Sequence, residues 1–328
     1  MKVCIFGAGA IGGHLAGRLA KGGADLSIVA RGANLAAMQA DGLIVRAPDG
    51  DMQVRPRLAA DPAELGPQDA VVVCTKVPAL GSVARAIGPL LGADTPVVFV
   101  TNGVPWWYYA SHGGPDEGRR VPEADPGDVV WNTIGPARAI GGAIYSACTQ
   151  PEPGVAQVVS ASSKLILGEP DNSRSDRAVA LAALFKAGGL PCSVSEKIRV
   201  EVWAKLLNNL LSGPLCVLNR RTMRDSLADP AVRAAATQLV EEGIAIARAM
   251  GQPVPGGAAE RIEQASGINH KPSILQDLEA GRPMEVEALF QVPLRLANEN
   301  GVPAPMLALT VALMAQAAEG AGLLRPAA

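Results

Sequence analysis

Residues 2–23, KVCIFGAGAIGGHLAGRLAKGG, constrain the fold of this chain more than any other stretch. An apolar, β-prone run at 2–6 meets three glycines and is followed by helical apolar spacing over 10–21. This predicts a strand, a tight turn and a helix, with G-x-G-x-x-G (Gly7, Gly9, Gly12) at the turn. Each glycine has a job in such a turn. Gly7 permits the turn, Gly9 lets backbone amides approach a pyrophosphate, and Gly12 lets helix and strand pack closely. The helix N-terminus then faces the phosphates, where unpaired amides and the helix dipole favour an anion. In a chain with 36 glycines the pattern alone is weak, and a plain tight turn would also produce it. Its place between a strand and a helix favours dinucleotide binding, with Gly7, Ala8, Gly9, Ala10, Ile11 and Gly12 as the cofactor loop. A secretory leader is rejected for the same segment, because the apolar run is short and broken by glycine.

A second predicted strand, 24–30, ends at Arg31-Gly32. An acidic residue at that point holds a ribose 2′-hydroxyl, whereas an arginine suits a 2′-phosphate, so the sequence points to NADP(H). The competing reading is an ordinary surface arginine after a strand. Further strands are predicted at 70–75 and 96–101, and DPAEL at 61–65 reads as an Asp cap with Pro at the first helical position. Strands are also expected at 140–148, 163–169 and 190–194, with a helix over 174–189. The alternation predicts a Rossmann-type, doubly wound parallel sheet. Lys76 and Asn102 follow strand C-termini, where such sheets bind ligands, although single polar residues in loops are often only solvated.

After Asn102 the chain enters GVPWWYYASHGGPDEGRRVPEADPGDVVWN, with Trp106, Trp107, Tyr108 and Tyr109 adjacent in a sequence only 3% aromatic. Two readings compete for this excursion: an anchored surface or subunit-contact segment, and a lid or pocket wall beside the nicotinamide.

From about residue 197 strand signals nearly vanish, which predicts an all-α C-terminal domain: 1–196 would bind the dinucleotide and 197–328 would be helical. Asp229-Pro230 opens a helix that Gly251 stops, Ser273 sits at a helix start, and Pro293 should kink the helix it lies in. In EVWAKLLNNLLSG (201–213), Glu201, Lys205, Asn208, Asn209 and Ser212 share one helix face. Val200, Trp203, Leu206, Leu207, Leu210 and Leu211 share the other. Periodicity alone makes this an amphipathic helix with a solvated polar face.

The whole chain is 48% hydrophobic and 18% charged, with a formal net charge of −2 and no long basic run. That balance argues against partnership with nucleic acid or an anionic membrane. No apolar stretch is long enough to span a bilayer. The five cysteines (Cys4, Cys74, Cys148, Cys192, Cys216) are scattered and odd in number, which favours reduced thiols in a cytoplasmic protein. Three widely spaced histidines argue against a metal cluster.

The pieces FGAGAIGG, ARG at 30–32, TK at 75–76, NG at 102–103, VWAKLLNN, PSILQD and MEVEALF resemble the ketopantoate reductase family, in the family's order and over nearly the whole chain. The resemblance implies a Rossmann domain, a helical domain and a cleft between them, with NADPH as cofactor and a small 2-oxo acid as substrate. It implies that Lys205 protonates the carbonyl oxygen and that Asn209 orients the substrate. Glu285 would hold the substrate's 4-hydroxyl and Ser273 its carboxylate. Asn102 would lie on the cofactor side, and Arg31 and Lys76 near the 2′-phosphate. The implied reaction yields (R)-pantoate for pantothenate and coenzyme A synthesis, and a homodimer is compatible with it. Taken singly, Glu285 would be a surface carboxylate and Ser273 a helix cap.

Two features depart from the family pattern. Gly213 stands where a second substrate-binding asparagine is common, and the segment after Asn102 is longer than in compact members. Both make a bulkier or less polar 2-oxo acid an alternative substrate. The β-hydroxyacid dehydrogenases, which also place Lys and Asn four apart after a Rossmann domain, are a second enzyme reading. An NADPH-binding sensor that uses the aromatic loop is a non-enzymatic one.

Overall fold

The computed structural model describes residues 1–324. The chain divides into two units: Met1–Thr101 with Pro105–Ile198, and Asn102–Val104 with Arg199 onward.

In the first unit, runs of β-branched residues form buried strands, and Gly- and Ala-rich runs form the helices between them. The elements in order are β1 (Lys2–Phe6), α1 (Ala10–Lys21), β2 (Asp25–Val29), α2 (Gly32–Asp41), β3 (Leu43–Arg46), β4 (Met52–Val54), β5 (Arg57–Ala59), β6 (Ala70–Val73) and α3 (Leu80–Ala86). They continue with β7 (Val97–Phe99), α4 (Val129–Thr133), β8 (Ala139–Tyr145), β9 (Cys148–Glu152), β10 (Val155–Val158), β11 (Lys164–Gly168), α5 (Asp176–Ala187) and β12 (Cys192–Val194). The predicted first strand and helix coincide with β1 and α1, and the later strands are shorter than expected. DPAEL makes only one 3₁₀ turn, in which the Asp61 carboxylate accepts from the Ala63 amide at 3.0 Å.

The main sheet has the order β5-β2-β1-β6-β7-β8-β11-β12. Strands β5 through β8 are parallel, but β11 runs antiparallel to β8 and β12 parallel to β11. The sheet is therefore mixed at one edge rather than parallel throughout. No helix crosses between β8 and β11: the intervening chain forms the β9–β10 hairpin and returns in the opposite direction.

That hairpin joins a second sheet, β4-β3-β10-β9, for which the sequence gives no clear signal. Its strands are three to five residues long and several face solvent, so they lack the apolar runs that reveal β1 or β6. It covers α1, whose small residues permit the approach. A Cβ on Gly17 would lie 2.8 Å from Val45 Cγ2, and one on Gly13 2.8 Å from Ala156 Cβ. Under this sheet lie His14 and Arg18, both buried. Arg18 donates to both Asp49 carboxylate oxygens at 2.6 Å, and its Nε donates to His14 Nε2 at 3.2 Å. Burial, with Arg18 beside it, brings the imidazole down to about 4, so His14 stays neutral at physiological pH.

The four adjacent aromatics are interior residues of the first unit. Trp106, Trp107, Tyr108 and Tyr109 are all almost fully buried. Trp106 meets Phe99 and Trp131 edge-on, at centroid distances of 5.2 and 6.0 Å. Trp107 lies on β8 so closely that a Cβ on Gly141 would be 2.6 Å from its ring. The surface of this excursion is the Gly- and charge-rich stretch that follows the aromatics, not the aromatics themselves.

The second unit is helical: α6 (Ile198–Asn219), α7 (Met223–Leu227), α8 (Pro230–Ala249), α9 (Ala258–Ser266), α10 (Ser273–Glu279), α11 (Val292–Glu299) and α12 (Pro305–Gly320). Asp229 caps α8 by accepting from the Ala231 and Val232 amides, and Gly251 follows its end with φ +72°. Buried Glu242 of α8 accepts from the Met306 and Leu307 amides at 3.0 and 2.8 Å, which ties α8 to the start of α12. The expected kink at Pro293 takes the form of a π-helical turn over Glu287–Gln291, immediately before α11. Proline has no amide to donate to the residue four before it, so the helical ladder slips there. Among the described residues no helix is long and apolar enough to cross a membrane.

Candidate active site

The residues expected to hold a cofactor fall along one edge of the main sheet. Phe6 of β1 pairs with Val29 of β2 on one side and Val73 of β6 on the other, so the loops after these three strands leave the same edge together. The first loop is Gly7–Gly9, the second Ala30–Arg31, and the third Cys74–Lys76. Gly7 has φ +101°, the left-handed side that favours glycine. Gly12 fits so tightly beneath it that a Cβ would lie 1.9 Å from the Gly7 carbonyl oxygen. Gly9 is the residue before α1, caps nothing with a side chain, and has open space where its Cβ would be. The first turn of α1 carries no acidic residue. Ala10 and Ile11 begin that turn, so its amides and positive dipole end are unneutralised and suited to a pyrophosphate.

Thr75 is a residue that sequence reasoning left inside a quoted motif without a role. Its methyl would sit 2.7 Å from a Cβ on Gly7, and its buried hydroxyl has no hydrogen-bond partner. An unpartnered buried hydroxyl beside the glycine turn fits a group that supplies an acceptor or donor there. Arg31 is exposed and precedes α2, and Lys76 is exposed and precedes a 3₁₀ turn at Val77–Ala79.

In the second unit α6 carries Lys205 and Asn209 on one face. The apolar residues expected opposite them, Trp203, Leu206, Leu207, Leu210 and Leu211, are buried. The polar face is not simply a solvated one: Lys205 and Asn209 are both partly buried. Burial pushes the Lys205 ammonium down from 10.5 to about 8, and the nearby Glu285 carboxylate opposes part of that fall. Glu285 is itself buried, at 9% exposure, rather than a surface carboxylate. The Asn209 side-chain amide Nδ2 is buried without a hydrogen-bond partner. The structure thus brings Lys205 into the field of Glu285, one helical turn from a donor with nothing to bind.

Ser273 is the first residue of α10, and Pro272 takes the cap position, so the hydroxyl is exposed and does no capping. Asn102 groups with the helical unit, because the chain beside it meets the π-helical turn: a Cβ on Gly103 would be 2.5 Å from the Ala288 carbonyl oxygen.

Gly213 continues the row Lys205–Asn209 by a further helical turn, and its neighbour explains the missing side chain. A Cβ there would lie 2.3 Å from Phe290 Cζ and 2.7 Å from Cε1. Phe290 is fully buried and comes from the π-helical turn five residues after Glu285. The sequence shows the glycine but not the ring, because the two residues meet only through tertiary structure.

Comparison with known proteins identifies the family. Residues 3–106 match the family model for ketopantoate reductase PanE/ApbA, and residues 197–318 match the model for the C-terminal part of the same family. A 2-dehydropantoate 2-reductase of Mesorhizobium japonicum is 44% identical, covering 96% of this chain and 97% of its own. A protein of Ralstonia solanacearum assigned as a ketopantoate reductase superposes with a TM-score of 0.91 at 36% identity, covering 98% of this chain and 99% of its own. A 2-dehydropantoate 2-reductase from Geobacter metallireducens superposes at 0.85 with 28% identity, covering 97% of this chain and all (100%) of its own. The chain is therefore an oxidoreductase belonging to the ketopantoate reductase family.

Proposed function

We propose that this chain catalyses the NADPH-dependent reduction of 2-dehydropantoate to (R)-pantoate, the step that feeds pantothenate and coenzyme A synthesis. The observation that carries this reading is Lys205, an ammonium lowered to about 8 beside Glu285 and one turn from the unpartnered Asn209 amide. The relative that is 44% identical over nearly the full length of both chains supports the choice of substrate.

The cofactor loop and α1 are suited to the pyrophosphate, Thr75 offers a hydroxyl beside it, and Arg31 and Lys76 are the cations for a 2′-phosphate. Bound NADPH supplies the hydride to the 2-oxo carbon. Lys205 supplies the proton: negative charge gathers on the carbonyl oxygen as the bond forms, and the adjacent ammonium stabilises it and then protonates it. A lysine near 8 is still mostly protonated at neutral pH and gives up its proton more readily than an ordinary lysine. Glu285 keeps Lys205 cationic against the cost of burial and accepts from the substrate hydroxyl. Asn209 donates to a substrate oxygen, and Ser273 offers its hydroxyl to the carboxylate. Asn102 serves the cofactor side. The five cysteines, none of them in a disulfide, fit a reducing cytoplasmic setting.

One observation favours a second reading of the substrate. Phe290 against Gly213 puts an apolar ring where a polar side chain would extend the Lys205–Asn209 row, which suits a 2-oxo acid with a bulkier, less polar substituent. NADPH oxidation measured across a panel of 2-oxo acids separates the two. Ketopantoate exceeding every other acid in kcat/KM by orders of magnitude supports the first reading. A preference for an aliphatic or aromatic 2-oxo acid supports the second.

A further inference from the structure

The hairpin β9–β10 is remote in sequence from every residue given a role above, yet it reaches the cofactor loops. Its turn lies on α2: Gly154, with φ +76°, would place a Cβ 3.0 Å from Ala37 Cβ, and its amide donates to Asn34 Oδ1 at 3.1 Å. Gln150, on β9, donates through Nε2 to the same Asn34 oxygen at 2.7 Å. The same nitrogen lies 3.4 Å from the carbonyl oxygen of Ala8 in the glycine loop. One carboxamide therefore links the loop suited to the pyrophosphate with the first turn of α2. Asn34 lies three residues after Arg31 on that turn. Arg31 itself caps nothing, so its placement depends on how α2 is held.

We infer that Gln150 and Asn34 are positioning residues that fix Arg31 at the right distance from the pyrophosphate loop and so set the preference for NADPH over NADH. The geometry gives the reason. A dinucleotide presents its pyrophosphate and its 2′-phosphate at a separation limited by one ribose, so a cation on α2 discriminates only while α2 keeps its distance from the Ala8 loop. Asn34 Oδ1 receives both hairpin donors, and Gln150 spans the gap. Loss of either side chain breaks this side-chain link between the two loops. NADH, which lacks the 2′-phosphate, makes no use of Arg31 and is largely indifferent to this link.

The inference rests on the NADPH reading, and the test separates the two. Equilibrium titrations of protein fluorescence with NADPH and with NADH are run on the wild type, Gln150→Leu, Asn34→Leu, Arg31→Ala and Gln150→Leu/Arg31→Ala. Gln150→Leu and Asn34→Leu each lower the NADPH:NADH affinity ratio by about fivefold, the scale of one net hydrogen bond. Without Arg31, adding Gln150→Leu leaves the ratio where Arg31→Ala alone put it. An equal loss of affinity for both cofactors in Gln150→Leu and Asn34→Leu would mean a merely structural hairpin and overturn the inference, as would an unchanged ratio. A wild type that shows no preference for NADPH would overturn the cofactor reading together with this one.

Discussion

Replacing Gly213 by alanine sets two effects of opposite sign against each other, and the structure says which wins. Glycine inside a helix costs about 0.5–1 kcal/mol relative to alanine, so helix propensity alone makes Gly213→Ala stabilising. The new Cβ, however, would lie 2.3 Å from Phe290 Cζ. Carbon atoms settle at about 3.5–4.0 Å, so roughly 1.2 Å of overlap must be relieved. Phe290 has no exposed surface into which it can swing, so α6 or the π-helical turn must move. Overpacking of this kind costs about 1–3 kcal/mol, and after the propensity gain the expected net destabilisation is on the order of 1–2 kcal/mol. Phe290→Leu removes the ring atoms at the point of contact. In that background Gly213→Ala should reverse sign and stabilise by about 0.5–1 kcal/mol. Urea unfolding followed by far-ultraviolet circular dichroism measures all four proteins. A stabilising Gly213→Ala in the wild-type background, or the same sign in both backgrounds, would refute the claim that Phe290 occupies this position.

Three further outcomes follow from titration and unpartnered groups. With Lys205 as proton donor near 8, kcat/KM for reduction should be flat below that pH and fall tenfold per unit above it; a profile still flat at pH 10 would remove Lys205 from the role. The same depressed value makes the partly buried Lys205 a cost to folding. Below about 8 both folded and unfolded chains hold the proton and the cost is full. Between about 8 and 10.5 the unfolded chain binds more protons and stability rises with pH. At pH 7, Lys205→Met should therefore stabilise the protein, by on the order of 2–3 kcal/mol, and thermal melts at pH 7 and 10 should show that gain shrinking at the higher pH. Thr75→Val removes an unpartnered buried hydroxyl at nearly constant shape, so the free protein should keep or gain thermal stability while NADPH affinity falls about three- to tenfold; unchanged affinity in a calorimetric titration would take Thr75 out of the cofactor site.

How much of this was legible beforehand depends on the range over which each feature acts. β1, the glycine turn and α1 could be read nearly to the residue, because the requirement for Gly7 and Gly12 is local: the residues that meet lie five apart. The helix caps at Asp229 and the stop at Gly251 are local too. The second sheet was not legible, since its strands are short and half-exposed and its central pairing, Ile44 with Val155, joins two local hairpins across more than a hundred residues. The reversal of β11 escaped for a related reason: the sign of pairing depends on how β9 and β10 return, not on the apolar run of β11. For the candidate site, helical spacing put Lys205 and Asn209 together but assigned them to a solvated face. The charge beside Lys205 comes from Glu285, eighty positions later, which spacing along α6 does not reveal. The aromatic run stood out by composition alone, and only Phe99, Trp131 and Gly141 around it show that it belongs to the interior.

Kinetics of Lys205→Met with NADPH and ketopantoate, alongside fluorescence titration of the same protein with NADPH, test the central claim most directly. Loss of a positioned proton donor costs about 10²–10⁴ in rate. The expected result is a kcat lower by at least about two orders of magnitude, with NADPH affinity within about twofold of the wild type. Wild-type turnover in a variant that binds NADPH normally would contradict it.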